Sequence, residues 1–249
     1  MKTNFSSLKQ YALYLNKWLN DYLKQANKKA VVIGISGGID SALALAICFL
    51  SKKVKVYPYF LDIENSTLDK QCIKALEKHY KIKIPKINLK DEYLKIVKKT
   101  KLKNSLAKSN IKPRLRMLSL YALAQEHNAL VLGTSNLDEL YLGYYTKYGD
   151  GACDLALLSK MIKQEVFNMA KELNVPPIII NRKPSASLYS GQTDEEDMGL
   201  KYLDIDKYLD GKKTSKKVAD LIKQKHQLAK HKKIKLNEPD KAYINRKII

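Results

Sequence analysis

The 249-residue chain is poor in arginine, poor in cysteine and without a long apolar run. Only four of its 46 basic residues are arginine: Arg114, Arg116, Arg182 and Arg246. A formal net charge of +21 suits a polyanionic partner, yet phosphate and base readers favour the bidentate arginine fork. The lysines are spread along the chain, often on one side of helical segments, as on a solvated face. We therefore expect no nucleic-acid partner and an anionic small substrate. Three cysteines, Cys48, Cys72 and Cys153, are odd in number and far apart, which excludes a disulfide framework and a zinc site. The longest apolar run, Ala42 to Leu50, is far short of the roughly 20 residues of a membrane span. The opening "MKTNFSSLKQYALYL" lacks a signal-peptide apolar stretch. No membrane association and a cytoplasmic location are expected.

What is present is alternation. Phe5, Leu8, Tyr11, Leu15, Trp18, Leu19, Tyr22 and Leu23 follow helical spacing. Strands are expected at Ala30 to Ile35, Val54 to Leu61 (weakened by Pro58), Ile82 to Leu89 (broken at Pro85), Ala129 to Leu132 and Ile178 to Ile180. Helices are expected at Ile39 to Leu50, Thr67 to Tyr80 with Ser66 or Asn65 as cap, Arg114 to His127, Ser159 to Leu173, Asp194 to Leu209 and Ser215 to Lys230. Pro113 suits a first helical position. The alternation predicts an α/β fold: a single domain with an open parallel sheet and helices on both faces. Within residues 1–249 we expect an N-terminal helix over 1–29, a sheet-bearing core over 30–210 and a C-terminal helix and tail over 211–249.

The stretch "VVIGISGGIDSALALAI", Val31 to Ile47, runs from an apolar strand through Ser36-Gly37-Gly38-Ile39-Asp40-Ser41 into an apolar helix. In such sheets ligands bind beyond the carboxyl ends of strands. Glycines let the backbone turn and approach a ligand closely. The helix start adds unpaired N–H groups and partial positive charge, so the segment reads as an anion site, most naturally for phosphate. It lacks the lysine of a Walker loop and the glycine spacing of G-x-G-x-x-G.

A second cluster, "GTSNLDELYLGYYTKYGDGACD" from Gly133 to Asp154, begins where the Ala129 to Leu132 strand ends. It holds Asp138, Glu139, Lys147, Asp150 and Asp154 beside Tyr141, Tyr144, Tyr145 and Tyr148. Aromatic walls with few polar groups suggest a binding pocket. No Ser/His/Asp or Cys/His constellation is evident, so no covalent protein nucleophile is expected.

Ser-Gly-Gly-Ile-Asp-Ser resembles the pyrophosphate loop of the ATP pyrophosphatases, proteins with an adenine-nucleotide α-hydrolase-like (Rossmann-like) fold. Gly-Thr-Ser-Asn-x-x-Glu followed by Gly-Tyr-x-Thr-Lys-Tyr-Gly-Asp-Gly-Ala-x-Asp narrows the resemblance to the synthetase domain of NAD synthetases. "NIKPRLRM", "KPSASL", "GQTDEEDMG", "YLDIDKYLDG" and "HKK" resemble further motifs of that family in the same order. The resemblance implies ATP-dependent amidation of deamido-NAD by ammonia through an adenylated carboxylate. It implies that Gly34, Ile35, Ser36, Gly37, Gly38, Ile39, Asp40 and Ser41 line ATP, with Thr134, Lys163 and Ser185. It places Mg²⁺ on Asp40 and Glu139, and deamido-NAD on Arg116, Lys147, Asp154, His231 and Lys232. Lys163 rather than Lys160 is chosen by spacing. Ser187 stands where the family has Asp.

Glutamine-using relatives carry a large amidase domain, and under 40 residues precede the loop here, so free ammonia is the expected nitrogen source. The family implies a homodimer, with Trp18 and Tyr22 of the N-terminal helix as candidate contacts. Two rival readings stay open: a tRNA-modifying adenylating enzyme with the same loop, and a non-catalytic ATP-binding regulator.

Overall fold

The computed structural model describes residues 3–51, 53–185, 193–232 and 242–243. The readings at Ser187, Leu188, Gly191, Gln192 and Lys233 lie outside the described residues. A short strand, β1 (Thr3–Asn4), leads to α1 (Leu8–Gln25). The Ser7 hydroxyl accepts the Gln10 N–H, satisfying one orphan amide of the first turn. Tyr11, Leu15, Leu19 and Leu23 form its buried stripe, as their spacing predicts. Next come β2 (Ala30–Gly34) and α2 (Ile39–Cys48). Both are apolar nearly all round because both are enclosed: every residue of α2 except Asp40 is buried.

β3 (Lys55–Asp62) contains Pro58 without penalty. Tyr59 is the β3 residue whose carbonyl accepts from Ile35, 2.8 Å away. Neighbouring residues point to opposite sides, so Pro58 faces the other edge, where pairing starts only at Phe60. α3 (Thr67–Tyr80) starts where expected, closed by a reciprocal box between Ser66 and Asp69. The expected Ile82–Leu89 strand shrinks to β4 (Lys86–Asn88) after Pro85.

Two helices lie in a region without a sequence expectation: α4 (Lys90–Thr100) and α5 (Ser105–Ser109). Only Tyr93 of the two is buried, so neither shows a wide apolar stripe. α6 (Ile111–Glu126) begins earlier than read, and Pro113 is its third residue, still in the turn whose amides have no helical partner. β5 (Ala129–Gly133), α7 (Leu137–Leu142), β6 (Leu155–Ala156) and α8 (Lys163–Glu172) follow. α8 starts four residues later than expected because Ile162 is extended, with ψ 162°.

The expected strand at Ile178–Ile180 is instead a helical turn, α9 (Pro177–Ile180). Pro177 opens it, with φ already set for a helix, and the buried Ile179 joins the core shared with α2 and α8 rather than a sheet edge. The expected Asp194–Leu209 helix breaks at Gly199 into α10 (Asp194–Met198) and α11 (Tyr202–Leu209). α12 (Lys216–Leu228), capped by Ser215, runs into a 3₁₀ turn at Ala229–Lys232, and β7 (Ala242–Tyr243) pairs in parallel with β1.

The main sheet is parallel throughout, in the order β4-β3-β2-β5-β6. Val31 and Ile33 face a core shared with α1, α2 and α8; Ala30 and Val32 face α6. Helices thus cover both faces, and the single-domain α/β expectation holds. The chain leaves β2 toward β3 and β4, then returns to the other side of β2 as β5. The crevice between the carboxyl ends of β2 and β5 is therefore the switch point of the sheet, the place where such folds bind ligands. A smaller apolar cluster of Leu142, Met198, Leu200, Tyr202, Ile205 and Ile222 links α7, α10, α11 and α12. Among the described residues no helix is long and apolar enough to cross a membrane.

Candidate active site

The loop after β2 is tied from within. Ser41 Oγ accepts the Ser36 N–H at 3.2 Å and donates to the Gly38 carbonyl at 3.0 Å; Ser36 Oγ accepts the Gly38 N–H at 3.1 Å. Gly37 has φ +84°, a left-handed conformation, and a Cβ there would lie 3.0 Å from the Asp69 carbonyl oxygen. Gly38, the N-cap of α2, supplies no side-chain acceptor, so the first amides of α2 keep their capacity for an anion. Ile35, Ile39 and Ser41 are buried and Gly34 packs on Leu120. Their part in any ligand contact is through backbone and loop shape.

Across the crevice, β5 delivers Thr134 and then α7. Asn136, fully buried, caps α7 by accepting the Glu139 N–H, and Glu139 returns a bond to the Asn136 N–H. The Asn136 amide also donates to Asp40 Oδ1 at 2.9 Å. Lys163, at the start of α8, reaches into the same point. Its Nζ lies 2.7 Å from Asp40 Oδ2 and 3.5 Å from Glu139 Oε1, with its side chain only 2% exposed. Burial disfavours the ammonium, but Asp40 and Glu139 outweigh it and hold Lys163 above the ordinary lysine range. Burial, then the charge of Asp40, pushes the Glu139 carboxyl up to about 8. Asp194 accepts from Tyr144 and Tyr202 hydroxyls at 3.2 and 3.0 Å, and the Lys163 ammonium lies 4.9 Å from the Tyr202 ring centroid.

α8 itself is held from a distance. Ile162, its N-cap, has no acceptor, and Asp206 of α11 takes the Lys163 and Gln164 N–H groups instead, both at 3.1 Å. Asp138 is fully buried beside Asp206. Burial first, then the Asp206 charge, lifts the Asp138 carboxyl well above the usual aspartate range.

The other residues singled out by resemblance are more dispersed. Arg116 Nε donates to the Leu61 carbonyl at 3.0 Å and Nη2 to Asn65 Oδ1 at 3.1 Å, bracing the β3–α3 loop one strand over. Asp154 accepts the Val131 N–H at 2.7 Å and the Tyr121 hydroxyl at 3.3 Å, so its carboxylate joins β5 to β6. Lys147 lies over the exposed Tyr148 ring. Lys232 Nζ donates to the Gly143 and Tyr145 carbonyls at 2.8 and 2.9 Å, closing the end of α7. Exposed His231 rims a cavity of about 280 Å³ beside it, with Leu142, Met198 and Lys225. Ser185 sits in a segment pinned by Arg182 to Gly37 and by the Pro184 carbonyl to the Asp194 N–H at 3.1 Å.

The expected aromatic pocket is largely filled by the rings themselves. Tyr141 stacks on His226, Tyr144 binds Asp194, and Tyr145 packs on Gly151, leaving Tyr148 exposed. Sequence reasoning gave no role to Asn136, Arg182, Asp194, Tyr202 or Asp206. The signals were present: Asn136 precedes Glu139 at capping-box spacing, and Arg182 is one of four arginines.

Asp40 and Glu139 suit a hard divalent cation. Both aim oxygens at a single cationic nitrogen, and two carboxylates completed by phosphate oxygens are a common magnesium set.

An uncapped glycine loop at the switch point, and an acid pair that joins it through Asp40 to Glu139 on the other side of the crevice, define a nucleotide-binding α/β protein. Residues 11–241 match the family model of NAD synthase, and the chain belongs to that family. It is 44% identical over 237 residues to an NH₃-dependent NAD⁺ synthetase of Mycoplasmopsis pulmonis, covering 95% of this chain and 92% of that one. It is 44% identical over 210 residues to the enzyme of that name in Mycoplasma genitalium, covering 83% and 85%. Among solved structures it resembles an NMN synthetase from Francisella tularensis (TM-score 0.87, 38% identity, 94% of this chain and 99% of that one). It also resembles an NH₃-dependent NAD synthetase from Campylobacter jejuni (TM-score 0.76, 26% identity, 91% and 96%).

Proposed function

We propose that this protein is an ammonia-dependent NAD synthetase: it amidates the nicotinate carboxylate of deamido-NAD with free ammonia and cleaves ATP to AMP and pyrophosphate. The observation that carries the reading is the meeting of Asp40, at the end of the uncapped loop, with Glu139 and Lys163 in a chain of this family. The tRNA-modifying and regulatory readings gain no support from the relatives.

A carboxylate resists ammonia because its charge repels nucleophiles and oxide is a poor leaving group. Attack of the carboxylate oxygen on the α-phosphorus expels pyrophosphate and forms a mixed anhydride. Ammonia then attacks the carbonyl carbon, AMP leaves, and one proton is lost. The loop from Gly34 to Ser41 receives the pyrophosphate on backbone N–H groups aligned by α2. Lys163, Thr134 and Ser185 complete the ATP contacts in this reading, with Lys163 shifting from the acid pair toward phosphate charge. Asp40 and Glu139 would hold Mg²⁺, which supplies charge neutralisation to the phosphates when bound. Arg116, Lys147, Asp154, His231 and Lys232 are proposed for deamido-NAD. Catalysis of this kind rests on positioning and charge.

We place the enzyme in the cytoplasm as a homodimer. The outer face of α1 supports the dimer, since Tyr14, Trp18 and Tyr22 line a surface hollow of about 230 Å³ there; light scattering that returns a monomer would overturn it. One observation favours a second substrate reading. The NMN synthetase resembles this chain more closely than the Campylobacter enzyme does, both in fold and in identity; making NMN by amidation would take nicotinate mononucleotide. The test is pyrophosphate release with ATP, Mg²⁺ and ammonium, given deamido-NAD or the mononucleotide. We expect a higher kcat/KM for deamido-NAD; a preference for the mononucleotide reassigns the substrate, and release with neither refutes the enzyme.

A further inference from the structure

Arg182 has no part in the roles assigned above, yet it joins three segments at the loop. Its Nη1 donates to the Gly37 carbonyl at 3.1 Å and to Asp69 Oδ1 at 2.9 Å. The two side chains are 10% and 1% exposed. Asp69 is fully committed: its Oδ2 accepts from the Ser66 N–H and the Asn65 amide, so its position is set by the start of α3. Gly37 is the one residue of the loop with a positive φ, and its Cα side faces the Asp69 backbone and Cys72. Three residues beyond Arg182 lies Ser185, and between them the Pro184 carbonyl takes the Asp194 N–H.

We propose that Arg182 is a positioning residue for ATP binding: anchored on Asp69, it holds the Gly37 carbonyl back against α3. This rests on the nucleotide reading of the loop. A peptide unit has its carbonyl and the following N–H on opposite sides. Pinning the Gly37 carbonyl toward α3 therefore turns the Gly38 N–H the other way, toward the loop interior, where Ser36 Oγ accepts it. The charge-assisted pair is nearly dry, so it is stiff and short. It also fixes the distance between the loop and the segment carrying Ser185, so that two ATP-facing pieces from opposite ends of the core move as one body. One nitrogen, Nη1, makes both contacts, so a lysine ammonium can replace it only in part: its charge reaches the same acceptors, but its shorter, flexible stem holds it less firmly.

The test measures ATP affinity by titration calorimetry, and the KM values for ATP and deamido-NAD by pyrophosphate release, for wild type, Arg182→Gln, Arg182→Lys, Asp69→Asn and the Gln/Asn double variant. Loss of a charge-assisted bond predicts ATP binding weakened about tenfold or more in Arg182→Gln, with the KM for deamido-NAD within about twofold on the same argument. Arg182→Lys should recover part of the loss. Asp69→Asn should weaken ATP in the same direction, and the double variant should be no worse than Arg182→Gln, since both break one unit. If Asp69→Asn leaves ATP affinity at the wild-type level while Arg182→Gln does not, Arg182 acts on the nucleotide directly and the proposal fails. Unchanged ATP affinity in Arg182→Gln also overturns it, as does an equal loss for both substrates with a lowered melting temperature. A wild type that binds ATP but releases no pyrophosphate would refute the enzymatic reading and leave the calorimetric comparison decisive for Arg182.

Discussion

Replacing Asp138 by Asn tests whether a proton is shared beneath the site. Asp138 is completely buried and faces Asp206, whose carboxylate already accepts two backbone N–H groups of α8. In the folded protein the Asp138 carboxyl titrates well above its ordinary value, through burial and then the Asp206 charge. The unfolded chain releases that proton near pH 4. Between these two points the folded state binds one proton more than the unfolded state. Stability from this group is thus fully present below about pH 4 and falls as pH rises, by up to about 1.4 kcal/mol per pH unit for one proton. Asn keeps a donor toward Asp206 without binding a proton. Asp138→Asn should therefore match wild type near pH 4.5 and gain on it by about 1 kcal/mol or more per unit from pH 5 to 6.5. Glu139 titrates in both proteins, so its effect largely cancels in the difference. Urea unfolding at four pH values, without Mg²⁺ or nucleotide, reads the slope directly. Stability curves for the two proteins that run parallel across this range would show that Asp138 carries no proton in the folded state.

Three further outcomes follow from the same geometry. Asp40→Asn should keep a cooperative melt and lose about a hundredfold or more in kcat, because it removes a carboxylate from the proposed metal pair and a partner from Lys163; near wild-type turnover in a steady-state assay would remove Asp40 from the chemistry. Asp206→Ala leaves the first amides of α8 without their acceptor and should cost about 1–3 kcal/mol in chemical denaturation. Adding Ile162→Thr, which offers a local cap, should return part of it; no recovery would mean that Asp206 acts otherwise. Gly143→Ala should destabilise by about 1–3 kcal/mol in the same assay, since φ is +68° and the new Cβ would lie 2.2 Å from that of Ala229; a neutral result would show the Gly143–Ala229 contact to be loose.

Much of the fold was legible locally. The β2–loop–α2 unit, the Ser66 cap of α3 and the buried β5 each announce themselves within a dozen residues, through apolar runs, cap chemistry and glycine. Local rules misled where a short apolar run had no period to read: Ile178–Ile180 is β-branched yet turns helically after two prolines. They were silent at α4 and α5, where a lysine-rich surface hides the stripe that marks a helix. The resemblance in sequence named Asp40, Glu139 and Lys163 for ATP and metal, and the fold brings these three side chains together. Arg116 and Asp154 came from the same motifs, and their bonds to the β3–α3 loop and to β5 were not legible there, because a motif records residue type and order, not the partners a side chain finds.

The amino-acid sequence by itself determined the alternating architecture, the bare loop with its unpaired amides and the family motifs, since each depends on residues close together in the chain. The tertiary structure alone decided which charges meet. Asp40 and Lys163 are 123 residues apart, and Asp206 caps a helix 43 residues before it. Those pairings exist because the sheet places β5 beside β2 rather than beyond β4, and strand order is set by how whole faces bury one another, which no local pattern encodes.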